Sequence, residues 1–200
     1  MGPTWARTSP SMQAHGLAAA DDVDRQPLRR QDARMTRSLG ATIPAGLARL
    51  LDGVDAAAQE GFTPLLVTVG AEGWPHIALL SAGEVLIVGQ QVRIALWRRS
   101  TATDDLDHSG RALLYAVVGD DALGLRIACR RGPDLDAPGS GLATFECGVE
   151  EAFSDKVGYA ELRSGITFAL NNPERDLPRW QHTISALRAL PPRAEGQDSG

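Results

Sequence analysis

The chain has 200 residues, with 20 Lys and Arg against 25 Asp and Glu and a formal net charge of -5, which argues against a general binder of nucleic acid or acidic membrane surfaces. Its 43% hydrophobic and 22% charged residues are those of an ordinary globular domain, and no apolar run approaches the roughly 20 residues of a membrane helix. The N-terminus shows no apolar signal segment, and Cys129 and Cys147 lack metal-site spacing, so the expectation is a cytoplasmic protein whose thiols are reduced and buried as small hydrophobes.

Residues 1–40 are rich in Pro, Arg, Asp and Ser without an apolar period, and are expected to form an unfolded tail. A chain beginning at Met35 is expected to fold without it. The domain is expected to cover residues 41–190, followed by a polar tail at 191–200. Its first element, "PAGLARLLDGVDAAAQE", predicts a helix. Leu47, Leu50, Leu51 and Val54 recur at helical spacing, Pro44 suits the first turn, and Gly61 is the stop.

The period then changes. "PLLVTV", "HIALLS", "EVLIV", "VRIALW", "RALLYAVV", "ALGLRIACR" and "GLATFECGVEEAFS" are short runs rich in Val, Ile and Leu, bounded by Gly-containing turns, and predict strands. Their connections are too short for helical crossovers, so neighbours must run antiparallel. The reading is a mainly β (α+β) domain: one meander of six to seven antiparallel strands, closed into a small barrel because closure removes exposed edges. A short helix, "TATDDLDH", interrupts the meander and makes the barrel a split one. A two-sheet sandwich is the alternative. "PERDLPRWQHTISALRAL" predicts a closing helix with Trp180, Ile184, Leu187 and Leu190 roughly on one face.

The interruption is where chemistry concentrates. Arg98, Arg99, Ser100 and Thr101 stand between a strand end and a helix start. Ser100 or Thr101 can cap that helix, and the free backbone N–H groups there favour an anion, to which an arginine adds charge-assisted hydrogen bonds. The alternative is a solvated loop with a capped helix. Elsewhere the signals are weaker. His76 begins a strand beside Pro75, as a ligand contact or a surface residue. His108 suits a helix C-terminus, and the four scattered histidines, His182 among them, suggest no metal site. Glu146, Glu150, Glu151 and Asp155 fit the solvent face of a strand better than an acid–base pair. Trp74 and Trp97 are either aromatic stacking surfaces for a ligand or plain packing residues. Arg163 and Ser164 are either loop residues or groups reaching a neighbouring subunit.

Two segments, "TVGAEGWPHIALLSAGEVLIV" and "VRIALWRRSTATDDLDHSGRALLYAV", taken in their order and spacing, resemble the FMN-binding split barrel of the pyridoxamine 5'-phosphate oxidase family, in particular its small bacterial branch, over residues 44 to 190. The resemblance implies a homodimer with FMN at the interface. The isoalloxazine would run along the second strand at His76, Ile77, Ala78, Leu79, Leu80 and Ser81. Ala95, Leu96 and Trp97 would flank the ribityl chain, and the phosphate would sit at Arg98, Arg99, Ser100 and Thr101. The family's basic residue after the Ser falls here on Thr101 and Ala102, and "HSG" replaces its usual Asn-Pro turn. The implied activity is an FMN-dependent oxidoreductase acting on a small organic substrate, with His76 as the catalytic candidate. The other reading is a non-catalytic flavin, deazaflavin (F420) or haem binding protein on the same barrel.

Overall fold

The computed structural model describes residues 36–136, 141–156 and 158–191. Eight strands form one antiparallel sheet: β1 (Thr36–Ser38), β2 (Leu65–Val69), β3 (Pro75–Leu79), β4 (Val85–Val88), β5 (Gln91–Trp97), β6 (Arg111–Val118), β7 (Asp121–Arg131) and β8 (Leu142–Asp155). Helix α1 is Ala45–Leu50, α2 is Thr101–Ser109 and α3 is Pro173–Ala189. The sheet runs in the order β3-β2-β6-β7-β8-β5-β4 and curls into a half-barrel flanked by the helices, with β1 added to the far end of β8. All seven expected strands are present, and a split barrel describes the arrangement.

The connectivity is not the single meander that short turns suggest. β3 and β4 are consecutive in the chain yet lie at opposite ends of the strand order. The tight segment between them explains this. The Glu84 carboxylate accepts from both Ser81 N and Ser81 Oγ, each at 2.8 Å, and Gly83 lies so close to Trp180 of α3 that an added Cβ would fall 2.1 Å from the indole. The turn is anchored to α3 and sends the chain to the other side of the split. Helix α2 then contacts β2, β3, β5 and β7.

Three other expectations are corrected. The first helix ends at Leu50. Asp52 accepts from Val54 N, and Gly53 adopts φ 69° where any Cβ would strike Ile184. Leu47 and Leu51 are buried but Val54 is 81% exposed. The sheet also begins at Thr36, ahead of the expected boundary at 41. β1 has no apolar pattern because backbone bonds hold it to β8, continued by Leu39 N to Ala152 O at 2.8 Å. The remainder of that N-terminal tail, and residues 192–200 of the C-terminal one, lie outside the described residues. Finally, the cysteines are not reduced: Cys129 and Cys147 form a disulfide. They stand directly opposite each other on β7 and β8, with Cα atoms 4.0 Å apart. Strand register creates this proximity, and an 18-residue spacing does not reveal it.

The core lies inside the curl. Leu66, Leu86, Ile94, Leu114, Leu125, Ile127 and Phe145 are almost fully buried, and α3 closes the outer side of β4 and β5 through Trp180, Ile184 and Leu187. Beneath the end of α3, Arg93 of β5 is buried, and its guanidinium donates to Leu187 O at 2.8 Å, Arg188 O at 3.1 Å and Pro191 O at 3.4 Å. A buried cation on the carbonyl end of a helix satisfies acceptors that have no partner within the helix and matches its dipole. No helix among the described residues is long and apolar enough to cross a membrane.

Candidate functional site

The candidate site is the junction of β5 and α2. Ser100 is the N-cap of α2: its Oγ accepts from Thr103 N at 3.3 Å, and its carbonyl accepts from Thr103 N and Asp104 N. Thr103 Oγ1 donates back to Trp97 O at 2.8 Å, so the helix start is tied to the strand end. The Thr101 and Ala102 amides precede the first intrahelical bonds, as in any helix. Ser100 thus fills the capping role expected of Ser100 or Thr101, while the Thr101 side chain is exposed.

The two arginines are separated by their partners. Arg98 is drawn away from the helix start: its Nε lies 2.9 Å from Asp134 Oδ2. Asp134 is also bound by Arg131 Nη2 at 2.6 Å, and Arg131 Nη1 reaches Asp107 of α2 at 2.6 Å. Arg131 holds the Asp134 carboxyl below the usual carboxylate range by this hydrogen bond, with smaller charge contributions from Arg131 and Arg98. Arg99 is exposed and has no ion pair or side-chain hydrogen bond among the described residues.

The other residues implied for the cofactor divide by strand face. β3 is a terminal strand of the sheet, and no strand among the described residues pairs with its outward backbone groups. Ile77 and Leu79 are 57% and 56% exposed. They stand opposite Val67 and Leu65 of β2, which in turn face Leu113 and Tyr115 of β6. Together they form one apolar sheet face, extended by Val69 at 45% exposure. His76 and Ala78 point to the other side and are half-buried. His76 is paired with Thr68, whose Oγ1 donates to the buried Asp105 of α2 at 2.6 Å. Leu80 and Ser81 are buried, and Ser81 is engaged with Glu84. Ala95 and Leu96 are buried as well, and Ala95 N is spent on Glu84 O. Trp97 is 39% exposed and carries the Arg179 guanidinium over its ring, 5.3 Å from the centroid.

Beyond Trp97 opens a cavity of about 650 Å³ between α3 and the sheet. Leu135, Leu142 and Pro178 give it apolar walls, while Asp136, Arg175, Asp176, Arg179 and His182 supply charge. Sequence reading missed this group. The spacing of Arg175, Arg179 and His182 places them on one side of α3, a polar stripe visible in the sequence, but only packing shows that the stripe faces Trp97. Burial pushes the Glu84 carboxyl above its usual range, against hydrogen bonds from Ser81 and the field of Arg179. Arg163 and Ser164 line a separate cleft with Glu60 and Val117. Glu150 and Glu151 face arginines: Arg111 at 3.8 Å and Arg126 at 2.6 Å.

No family model matches the chain. Among solved structures, it is similar to a putative pyridoxamine 5'-phosphate oxidase from Lactobacillus delbrueckii, with 13% identity, coverage of 58% of this chain and 98% of that one, and a TM-score of 0.45. It is similar to an F420 reductase at 13% identity, covering 55% and 98%, with a TM-score of 0.42. The haem storage protein HutZ of Vibrio cholerae follows at 12%, covering 49% and 88%, with a TM-score of 0.40. A nearer relative is the uncharacterized protein YclD of Bacillus subtilis (strain 168), 32% identical over 143 residues, which span 71% of this chain and 93% of that protein. At that identity and coverage, the chain belongs to the family of YclD.

Proposed function

We propose that this protein binds FMN as a homodimer and acts as an FMN-dependent oxidoreductase on a small organic substrate. The observation that carries the reading is the start of α2, where Ser100 caps the helix and is directly preceded by the exposed Arg99, which has no ion pair among the described residues. A phosphate dianion fits this set, since amides, helix dipole and guanidinium all favour negative charge. The terminal strand β3 supports the same reading, because its free backbone edge suits the ring edge of a flavin.

In this assignment Arg99, Ser100 and Thr101 hold the phosphate, Trp97 flanks the chain, and β3 lies along the ring. The flavin, when bound, supplies hydride or electron transfer, and the protein contributes orientation and electrostatics. The apolar face of Val69, Ile77 and Leu79 is the surface a second copy would cover. His76 is half-buried on the opposite side of β3.

The test is a flavin titration of the purified protein, followed by calorimetry and by flavin absorbance after gel filtration. Stoichiometric FMN with submicromolar to micromolar affinity is expected. Absence of FMN binding would remove the reading. FMN binding without reduction by any nicotinamide or substrate panel would leave a flavin carrier.

A further inference from the structure

The cavity under α3 has its own chemistry, distinct from that of the phosphate cradle. Its walls near Trp97 are Leu135, Leu142 and Pro178, and its volume of about 650 Å³ lies within the usual range for small-molecule sites. The distribution of charge along it is uneven. Asp176 is only 8% exposed and spends both oxygens on Arg175, with Nε to Oδ1 and Nη2 to Oδ2 both at 3.0 Å. Arg179 approaches that carboxylate only to 3.9 Å. Glu84 is the other carboxyl in the field of Arg179, and burial drives it toward its neutral form. Asp136 lines the cavity and is exposed, so water and salt weaken its opposition to a bound anion without cancelling it. The Arg179 side chain is 27% exposed, with its guanidinium carbon over the Trp97 ring. Of the two arginines on the cavity wall, Arg179 has the longer contact with Asp176 and the less exposed side chain.

We propose that this cavity binds a small organic anion with a ring-sized apolar body, of the aromatic carboxylate class. The body lies among Leu135, Leu142, Pro178 and the edge of Trp97, and the carboxylate meets the Arg179 guanidinium. His182 stands on the same side of α3, one turn further on. The binding claim stands on the cavity alone. Its assignment as the substrate pocket rests on the flavin reading, since Trp97 is the residue the two sites share.

The test uses 2-naphthoate and its neutral counterpart 2-naphthamide, which differ little in shape and fully in charge. Calorimetric titration of the full chain is expected to show one site that prefers the acid by about tenfold or more, as a charge-assisted contact implies. Arg179→Gln is expected to abolish the preference, Arg179→Lys to keep part of it, and Asp136→Asn to strengthen 2-naphthoate binding by removing the opposing charge. Circular dichroism confirms folding. If Arg179→Gln does not fold, Arg179→Lys and Asp136→Asn carry the comparison. Equal affinity for acid and amide, no binding of either, or an unchanged preference in Arg179→Gln would overturn the proposal, as would weaker 2-naphthoate binding in Asp136→Asn. A separate FMN titration distinguishes the two readings. Naphthoate binding without FMN binding removes only the flavin, and the reverse result removes only this site.

Discussion

Arg98 and Asp134 form an ion pair with Nε and Oδ2 2.9 Å apart, and this pair holds the first arginine of "RRST" on the β7–β8 connection while its neighbour Arg99 stays open. Both residues lie in the turn that follows β5, which Ser100 N closes by donating to Trp97 O at 3.0 Å, and Asp134 pairs with Arg98. Arg99→Ala and Ser100→Ala are therefore expected to weaken FMN binding about ten- to a hundredfold, the worth of a charge-assisted contact. Riboflavin binding should change little, because it lacks the phosphate. Arg98→Ala should lower FMN affinity by a much smaller factor. Titration of the three variants with both flavins checks this, and equal losses for FMN and riboflavin would refute the phosphate assignment.

The apolar face of β3 and β2 predicts association. Ile77, Leu79 and Val69 are each about half exposed or more, and an open apolar face of this kind tends to be covered by a partner. Sedimentation at micromolar concentration should give a dimer, and Ile77→Glu together with Leu79→Glu should give a folded monomer. A parent protein that sediments as a monomer would contradict the interface.

Arg93 predicts a stability effect far from any site. It places three guanidinium hydrogen bonds on the last carbonyls of α3 and the residue beyond. Arg93→Ala removes all three bonds, leaving Leu187 O with only the Leu190 N–H at 3.3 Å, at a cost of about 3 kcal/mol. For a domain of this size that lowers Tm by roughly 10 °C. Arg93→Lys should recover part of the loss, because one ammonium cannot span three carbonyls. Thermal melts of the two variants decide the matter.

The disulfide gives a redox-dependent stability. Cys129 and Cys147 close a loop with a sequence separation of 18, for which chain entropy implies about 3 kcal/mol. Reduction, or Cys129→Ser with Cys147→Ser, should lower the unfolding free energy by that order while leaving the strand pairing intact. Denaturant unfolding with and without a phosphine reductant measures the difference, and the oxidised protein should show no free thiol.

Glu84 sets a pH dependence of definite sign. Burial raises its folded pKa above the usual glutamate value. Between the unfolded and folded values the native chain holds a proton that the unfolded chain has lost, so this group's contribution is fully present below the unfolded pKa. It is lost as pH rises through the folded one. Asp134 and Asp176, whose pKa values are lowered by Arg131 and Arg175, act oppositely and lose their contribution as pH falls. Unfolding free energies of the parent and Glu84→Gln are expected to converge at acid pH. Toward neutral pH the variant should gain on the parent, and a constant difference across pH 4 to 8 would exclude the effect.

The sequence by itself determined the elements whose cause is local. Seven strands follow from short apolar runs between turns, α3 from its 3.6-residue period, and the cap of α2 from Ser100, because backbone sterics and short-range hydrogen bonding act over a few residues. The candidate phosphate residues were legible for the same reason: a helix start and its flanking arginines are contiguous in the chain. Tertiary structure decided what depends on distant partners. It set β3 and β4 on opposite sides of the split, through a Ser81–Glu84 turn anchored on Trp180. It placed Cys129 opposite Cys147, gave Arg98 to Asp134, and turned Arg179 onto Trp97. Each of these is a contact between residues far apart along the chain, fixed by strand order and register. Register is set by the whole buried face of a sheet rather than by the sequence of any single strand.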